Sequence, residues 1–273
     1  MPAEVWKTVK DQVLQSDSPN PRPGALQSAP DLSVIIPAFN EAARIARSLR
    51  QLGDYAAASG RRIKAVVVDD ASIDATTEVV RAFDPGPIDL RLIRLPRHRG
   101  KGAAVRAGML TAAGEMLLMT DADFSTPIAE VERLIPHLGN GADAVIGSRQ
   151  MPGSVLGAAR TPTRRLMERL FRFVRRRLML PDIRDTQCGF KLFRREAARK
   201  AFAELVCAGF AFDCEVLARI AATGGRIVEV GVAWCDAPDS RVRPVRDGLT
   251  MLADLIWIRR RVPRAARSAS RRG

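Results

Sequence analysis

The chain is poor in several residue types that mark common protein classes. Its 273 residues include two histidines, one tyrosine, 5% aromatic residues and four cysteines, none of which forms a Cys-x-x-Cys pair. So few ligands argue against a zinc site, and the cysteines are typical of buried reduced thiols in a cytoplasmic protein. The scarcity of aromatic side chains and of familiar binding motifs argues against specific recognition of nucleic acid.

Long apolar runs are also missing. No stretch reaches the roughly 18 apolar residues that a membrane span requires. Charged residues at Glu4, Lys7 and Lys10 interrupt the N-terminal segment, which is atypical of a signal peptide. We therefore expect a protein that is not integral to a membrane but that can still associate with a membrane surface.

Positive charge, by contrast, is in excess. Forty-four lysines and arginines oppose thirty acidic residues, which gives a net charge of +14. This surplus favours polyanions: nucleotides, anionic lipid headgroups or nucleic acid. A predicted helix over Thr163–Leu180 combines an apolar face with many arginines, and seven more arginines lie between Arg259 and Arg272. Both segments are consistent with an anionic membrane surface, with a solvated surface, or with loose RNA binding, which is the non-enzymatic alternative.

From Asp31 onward, short apolar strands alternate with amphipathic helices. We predict strands over 33–37, 63–68, 90–94, 115–120, 142–146, 190–193 and 226–232. Helices are predicted at about 41–58, after 74, and over 102–113, 127–138, 163–180, 212–223 and 249–258. This pattern indicates an α/β fold with a mostly parallel, Rossmann-like central sheet flanked by helices. We expect a helix and linker at 1–30, a single domain at 31–260 and a basic tail at 261–273, and we make no prediction of oligomeric state.

Acidic residues follow three of these strands. The segments are Pro37-Ala38-Phe39-Asn40-Glu41, Asp69-Asp70-Ala71-Ser72 and Asp121-Ala122-Asp123. The carboxyl ends of parallel strands meet at one edge of a sheet, where ligands bind. Two carboxylates spaced i, i+2 share a face and suit Mg²⁺ or Mn²⁺, which usually arrive with substrate phosphates. The alternative is solvated aspartates and helix capping, for which Asp74 is the better candidate beside Asp69 and Asp70.

Lys101 marks a further candidate phosphate contact. It stands at the start of the predicted helix 102–113, in Gly100-Lys101-Gly102. The N–H groups at a helix N-terminus and a nearby ammonium both attract phosphate. A solvated lysine is the alternative.

Seven segments together resemble the nucleotide-sugar glycosyltransferases of family 2, which have the GT-A fold. They are SVIIPAFNE, VVVDDASIDAT, LLMTDADFSTP, VIGSR, DTQCGFKLFRREAA, FAFDCEVL and VEVGVAWCDAPDSRV, in that order within about residues 31–260. The last three look most like the dolichyl-phosphate β-glucosyltransferase branch, with the dolichyl-phosphate mannose synthases next. A sugar nucleotidyltransferase would instead carry a Gly-rich phosphate loop after the first strand, where this chain has PAFNE.

The resemblance implies roles for individual residues. Contacts with the nucleoside are implied for Pro37, Phe39 and Glu41, and contact with the base for Asp70, with Asp69 nearby. Asp121 and Asp123, on either side of Ala122, would hold ribose and metal, with Asp123 as the main ligand. Basic positions near the phosphates match Arg149 and Arg241. A general base, or a group that organises the partners of the acceptor phosphate, is implied at Asp213 or Glu215, for which a pair of acids at a helix N-terminus is the alternative.

The function so implied is an inverting, metal-dependent hexosyltransferase. The expected donor is a nucleotide sugar, UDP-glucose in the first place or GDP-mannose, bound by residues 31–150. The expected acceptor is a polyprenyl or dolichyl-type lipid phosphate, bound by residues 151–260 at the cytoplasmic face of the membrane. A phosphate acceptor is largely ionised near neutral pH, which reduces the need for a strong base. A small soluble acceptor, such as a phosphorylated acid, is the alternative.

Overall fold

The computed structural model describes residues 29–156, 171–235 and 244–262. Its strands are β1 (Leu32–Ala38), β2 (Ile63–Asp69), β3 (Asp89–Arg94), β4 (Met116–Met119), β5 (Ala144–Ser148), β6 (Val155–Leu156), β7 (Lys191–Arg194), β8 (Ile227–Gly231) and β9 (Ala233–Trp234). Its α-helices are α1 (Ile45–Ser59), α2 (Thr76–Arg81), α3 (Lys101–Thr111), α4 (Val131–Gly139), α5 (171–178), α6 (Arg195–Ala203), α7 (Phe212–Ala222) and α8 (Pro244–Arg261). A 3₁₀ turn, Ile128–Glu130, precedes α4.

The main sheet has seven strands in the order β3-β2-β1-β4-β7-β5-β8. Every neighbouring pair is parallel except the two pairs made by β7, which runs antiparallel to both β4 and β5. The chain builds outward from β1 to β3 and then returns to place β4 on the other side of β1. This reversal opens a crevice at the carboxyl ends of the strands, the position where open α/β sheets bind ligands. The predicted mostly parallel sheet is confirmed.

Both faces of the sheet are covered by helices, as the continuous apolar strands require. Val34 and Ile36 of β1 belong to a cluster with Ile45, Leu49 and Leu52 of α1. The alternate β1 residue Ile35 belongs to the opposite cluster, with apolar residues of α3, α6, α7 and α8. Because successive side chains of a strand point to opposite faces of the sheet, β1 contributes side chains to both apolar clusters.

Helix α3 lies unusually close to the sheet, and its small residues are the reason. A Cβ atom at Gly108 would lie 2.5 Å from the Cγ2 atom of Ile35, so only glycine fits against β1 at this point. The N-terminus of α3 is equally close to the 207–208 backbone, since a Cβ atom at Gly100 would lie 2.6 Å from the carbonyl oxygen of Ala208. This packing brings Lys101, the first residue of α3, to the crevice.

The sequence-based prediction differs from the structure in several places. Helix α6 and the small parallel sheet of β6 and β9 were not predicted, and α8 begins at Pro244 instead of near 249. Of the helix predicted over Thr163–Leu180, the described part is helical over 171–178. Residues 1–28, 157–170, 236–243 and 263–273, which include the predicted N-terminal helix, Arg241 and most of the basic tail, lie outside the described residues. Among the described helices, none has the length and apolarity needed to cross a bilayer.

Candidate active site

The loops after β1, β2 and β4 share an uncommon backbone conformation. Asn40, Ala71 and Phe124, one in each loop, have φ angles of 57°, 58° and 48°. Residues other than glycine rarely occupy this left-handed region, and where they do the surrounding structure must hold them there. Strained backbone of this kind concentrates at functional sites, and here it coincides with the three segments that the sequence analysis selects.

Hydrogen bonds join the loops after β1 and β2 into one unit. The backbone N–H of Asn40 donates to the hydroxyl of Ser72 at 2.8 Å, and the N–H of Ile73 donates to Oδ1 of Asn40 at 2.9 Å. The N–H of Glu41 donates to the hydroxyl of Thr76 at 2.7 Å. The loop after β4 is tied to α1, because Ser48 donates to the carbonyl oxygen of Ala122 at 2.6 Å. The three acidic segments therefore lie around one crevice, as the sequence predicts.

Asp69 and Asp70 have different surroundings although they are adjacent. Asp69 is fully buried and accepts hydrogen bonds from the N–H of Ser72 and the hydroxyl of Thr77, so it holds the loop from inside. Asp70 accepts hydrogen bonds from the N–H groups of Arg99 and Gly100 at 2.8 and 2.7 Å. Burial raises the pKa of Asp70, and the two backbone donors only partly oppose this shift. The structure thus gives Asp69 a supporting position and leaves Asp70 as the carboxylate beside the crevice.

The first loop contributes an aromatic ring and a paired carboxylate. The ring of Phe39 stacks on that of His98, with centroids 4.1 Å apart and an angle of 31° between the planes. Pro37 lies within β1, two residues before Phe39. Glu41 forms two hydrogen bonds with the guanidinium of Arg44, at 2.8 and 3.0 Å. Of the predicted nucleoside contacts, Phe39 is the one that offers an aromatic ring for stacking.

The predicted metal pair follows β4. Asp123 accepts hydrogen bonds from the N–H and the hydroxyl of Ser125 at 3.0 and 2.8 Å. Asp121 forms an ion pair with Lys101, whose Nζ lies 2.5 Å from Oδ1 of Asp121. Two hard carboxylate donors fit Mg²⁺ or Mn²⁺, which takes its remaining ligands from substrate phosphates and water. The described residues contain no cluster of three or more histidine, cysteine or acidic side chains that could hold a metal ion.

Lys101 begins α3, as predicted, but N–H groups at this helix end are already hydrogen-bonded within the chain. The N–H groups of Gly102 and Ala103, at the start of α3, donate to the carbonyl oxygen of Ala208 at 2.8 and 3.4 Å, so the helix end is closed by the chain itself. Burial alone would lower the pKa of Lys101, but the carboxylates of Asp121, Asp213 and Asp123 outweigh it and hold this pKa above its ordinary value. Lys101 therefore supplies a fixed positive charge at the metal pair.

Two further charged side chains, Asp213 and Lys191, lie in the protein interior next to Lys101 and alternate in sign with it. Nζ of Lys191 lies 2.6 Å from Oδ1 of Asp213 and also donates to the carbonyl oxygen of Cys188. Both side chains are buried, and burial raises the pKa of Asp213 against the opposing effect of the two lysines. A buried carboxylate that is paired with lysine is placed to hold that cation in position, and the role of Asp213 in the reaction stays a prediction.

Glu215 does not reach the crevice, and the structure corrects its assignment as a catalytic residue. Its side chain is fully buried, and its carboxylate accepts hydrogen bonds from the N–H groups of Val206 and Cys207. The guanidinium of Arg219, one helical turn later, donates to the same carboxylate at 2.9 and 2.7 Å. Glu215 therefore fixes the 206–207 backbone to α7, which is a structural role.

This position leads to a prediction for Glu215→Ala. We expect the free energy of unfolding to fall by about 3–5 kcal/mol, because the change removes a fully buried carboxylate that accepts hydrogen bonds from the 206–207 backbone and pairs with the largely buried Arg219. We expect the sugar-transfer rate per folded molecule to change by less than about tenfold, and urea unfolding with an activity assay measures both quantities. Glu204→Ala is the matched control, since exposed Glu204 pairs with the same Arg219, and exposed pairs contribute about 0–1 kcal/mol. A stable but inactive Glu215→Ala variant would contradict the structural role.

Arg149 is part of a second charged cluster, beside the first. Its guanidinium donates two hydrogen bonds to Asp185, at 2.7 and 2.9 Å, and lies 4.9 Å from the ring centroid of Trp234. Burial would raise the pKa of Asp185, but the guanidinium of Arg149 holds it well below its usual range. The pair borders a cavity of about 60 Å³ that is lined by Arg149, Gln150, Phe171, Arg172, Arg175, Arg184, Asp185, Thr186 and Gln187. Four of these residues are arginines and one is an aspartate, so the charged side chains around the cavity are mostly positive.

Gly189 is a site residue that the sequence analysis missed. A Cβ atom at position 189 would overlap the carboxylate of Asp121, whose three terminal atoms are its nearest neighbours. The glycine in Cys188-Gly189-Phe190 therefore leaves the space that this carboxylate occupies. His98, Asp185 and Lys191 were missed as well. Asp185, Gly189 and Lys191 all lie in the matching segment DTQCGFKLFRREAA, which was a usable signal, whereas nothing in the sequence pairs His98 with Phe39.

A crevice at a topological switch point, with an aromatic ring, two hard carboxylates and fixed cations, defines a nucleotide-sugar transferase of the GT-A type. The family model described as glycosyl transferase family 2 matches residues 33–202. Dolichyl-phosphate β-glucosyltransferases of Homo sapiens and Saccharomyces cerevisiae are 36% and 32% identical to this chain; both alignments cover 84% of it, and 75% and 74% of those proteins. The chain belongs to glycosyl transferase family 2 and is a glycosyltransferase.

Solved structures share the fold. Glucosyl-3-phosphoglycerate synthase from Mycobacterium tuberculosis, solved in complex with UDP, is 18% identical with a TM-score of 0.63, and the match covers 89% of this chain and 87% of that one. A mannosyltransferase from Pyrobaculum calidifontis, solved with GDP-Man and Mn²⁺, is 22% identical with a TM-score of 0.61, covering 96% of this chain and 72% of that one. These matches confirm the predicted GT-A architecture.

Proposed function

We propose that the protein transfers glucose from UDP-glucose to a polyprenyl phosphate of the dolichyl type, with inversion and with Mg²⁺ or Mn²⁺. The observation that carries this proposal is the pair Asp121 and Asp123 beside Lys101, at the crevice of a chain that matches dolichyl-phosphate β-glucosyltransferases over 84% of its length. The relatives supply the substrate class, and the site supplies the chemistry that such a donor needs.

The donor would occupy the crevice with its nucleoside toward the loops after β1 and β2. Phe39 offers a ring for stacking, and Asp70 a carboxylate for the edge of the base. Asp121 and Asp123 would hold the metal, which, when bound, stabilises the negative charge of the departing diphosphate. Lys101 adds a positive charge that is already in place, so it costs no reorganisation during the reaction.

The transfer breaks the bond between the anomeric carbon of glucose and the β-phosphate oxygen, and UDP leaves with the electron pair. An oxygen of the acceptor phosphate forms the new bond from the opposite face of the sugar. Because a phosphate monoester has a second pKa of about 6, the attacking oxygen is already ionised near neutral pH. This removes the need for a general base, in keeping with the burial of Asp213 and its pairing with Lys191.

Membrane association is part of the same proposal. The side chain of Phe173 in α5 is 65% exposed, and arginines flank it along the helix. In α8, Ile256 is also exposed, and α8 ends in Arg259, Arg260 and Arg261. Exposed apolar side chains among arginines suit the interface of an anionic bilayer, where the lipid acceptor is found.

A second candidate function has one observation in its favour. The cavity beside Arg149 is small, with a volume of about 60 Å³, and four arginines line it, which suits the phosphate of a soluble acid. The acceptor would then be a small phosphorylated molecule. The nucleotide-sugar donor would bind in the same way for either acceptor.

One experiment separates these candidates. The purified protein is incubated with Mn²⁺ and radiolabelled UDP-glucose or GDP-mannose, together with either polyprenyl phosphate in anionic vesicles or 3-phosphoglycerate. We expect label from UDP-glucose in the lipid fraction and flotation of the protein with the vesicles. Label only in the soluble acid, without flotation, would replace the lipid acceptor with the soluble one. A failure to transfer from either donor would overturn the proposal.

A further inference from the structure

His98 occupies a surface position with specific partners. It lies in the loop between β3 and α3, and its side chain is 56% exposed. Even so, its ring stacks on Phe39 at a centroid distance of 4.1 Å, and its Nδ1 lies 2.9 Å from Oδ2 of Asp70. Solvent does not hold an exposed ring in one orientation. The contacts with Phe39 and Asp70 therefore determine where the imidazole of His98 lies.

These two partners are the groups that the proposed function assigns to the nucleobase. A pyrimidine base is a flat ring that stacks on an aromatic side chain and donates an N–H to a carboxylate. The imidazole of His98 has the same features: a flat ring with a nitrogen facing the carboxylate of Asp70. The imidazole already lies against one face of Phe39, with the ring centroids 4.1 Å apart, so a base that stacks on this same face must displace it.

The rest of this subsite does not depend on His98. Asp70 accepts the backbone N–H groups of Arg99 and Gly100, which hold its carboxylate in place when the imidazole leaves. Phe39 precedes Asn40, whose N–H and side chain are bound to the loop after β2. The exposed imidazole is thus the part of the subsite that can move at low cost.

We propose that His98 is a surrogate for the nucleobase: in the unliganded protein it occupies the base subsite, and the donor displaces it on binding. This inference rests on the proposed function, which assigns a nucleotide-sugar donor to the crevice. A competing side chain lowers the apparent affinity by the fraction of molecules whose subsite is free. His98 therefore sets the donor affinity, and it keeps the subsite formed and covered when no donor is present.

Calorimetric titration of UDP in the presence of Mn²⁺ tests the inference. We expect His98→Ala to bind UDP about 3- to 30-fold more tightly than the wild type, because its base subsite is open. Arg97→Ala, which changes an exposed neighbour in the same loop, is the matched control and should bind like the wild type. Unchanged or weaker binding by His98→Ala would overturn the inference, since a residue that supports the base must weaken binding when removed.

A second measurement observes the displacement directly. The chain has two histidines, so the imidazole resonances of His98 are assigned by comparison with His137→Gln. Saturation with UDP should move the His98 resonances away from their ring-stacked positions and leave those of His137 unchanged. His98 resonances that stay in place while UDP binds would contradict the displacement. If the wild type binds no nucleoside diphosphate, both the proposed function and this inference are wrong. If the wild type binds UDP but His98→Ala does not bind it more tightly, only this inference is wrong.

Discussion

Replacing Asp123 with alanine is expected to lower the rate of sugar transfer by about 10³-fold, because one of the two carboxylates proposed to hold the metal is lost. Among the described residues, the hydrogen bonds that Asp123 accepts come from Ser125, within its own loop. We therefore expect the thermal midpoint of unfolding to change little. Initial rates at saturating UDP-glucose and Mn²⁺, with a thermal melt of the same preparation, measure both effects.

Asp84→Ala is the matched control for this variant. Asp84 is also an aspartate in a loop, and it accepts a hydrogen bond from the N–H of Gly86, two residues later, at 3.1 Å. It lies between α2 and β3, outside the crevice. A transfer rate for Asp123→Ala close to that of Asp84→Ala would exclude the metal role of Asp123 and, with it, the proposed mechanism.

The second large effect is expected from Gly189→Ala. The added methyl group would overlap the carboxylate of Asp121, and this carboxylate, as the end of a side chain, can move aside more easily than the backbone. The displaced carboxylate would lose its ion pair with Lys101 and would leave the position proposed for metal binding. A misplacement of about 1 Å can cost about 10²-fold in rate. We expect a loss of this size, together with a higher Mn²⁺ concentration for half-maximal activity.

Gly139→Ala is the control for the backbone effect of this substitution. Gly139 ends α4, and a Cβ atom there would meet nothing within 4 Å. Its transfer rate and Mn²⁺ requirement should equal those of the wild type. If Gly189→Ala keeps the wild-type Mn²⁺ requirement while its rate falls, the glycine acts through something other than Asp121. If rate and requirement are both unchanged, Asp121 tolerates the displacement and is not a metal ligand.

The central sheet could be predicted from the sequence because its strands are apolar on both faces. Segments such as Val66-Val67-Val68 have few alternatives to a buried parallel strand. The acidic segments could be placed at one edge by topology alone. Helix α6 was missed because it follows β7 without a loop, so the sequence has no turn signal at Arg194–Arg195.

Partners of individual side chains could not be predicted to the same extent. Asp213 and Glu215 are two residues apart and chemically alike, yet one pairs with Lys191 from β7 and the other with Arg219 from its own helix. Which carboxylate faces the crevice depends on how α7 rotates against the sheet, and that rotation is set by packing over the whole core. The stacking of His98 on Phe39 likewise depends on two loops that are far apart in the chain.

Strand β7 joins residues 31–150, the region predicted to bind the donor, to the region that follows it. It lies between β4 and β5 and makes antiparallel hydrogen-bonded pairs with both, although it comes more than forty residues after β5 in the chain. A fragment ending near residue 150 would have β4 and β5 without the strand that separates them. Such a fragment would expose unpaired strand edges, which invite aggregation. β7 therefore makes both parts of the chain members of one sheet, and we expect a fragment of residues 31–150 to aggregate instead of folding by itself.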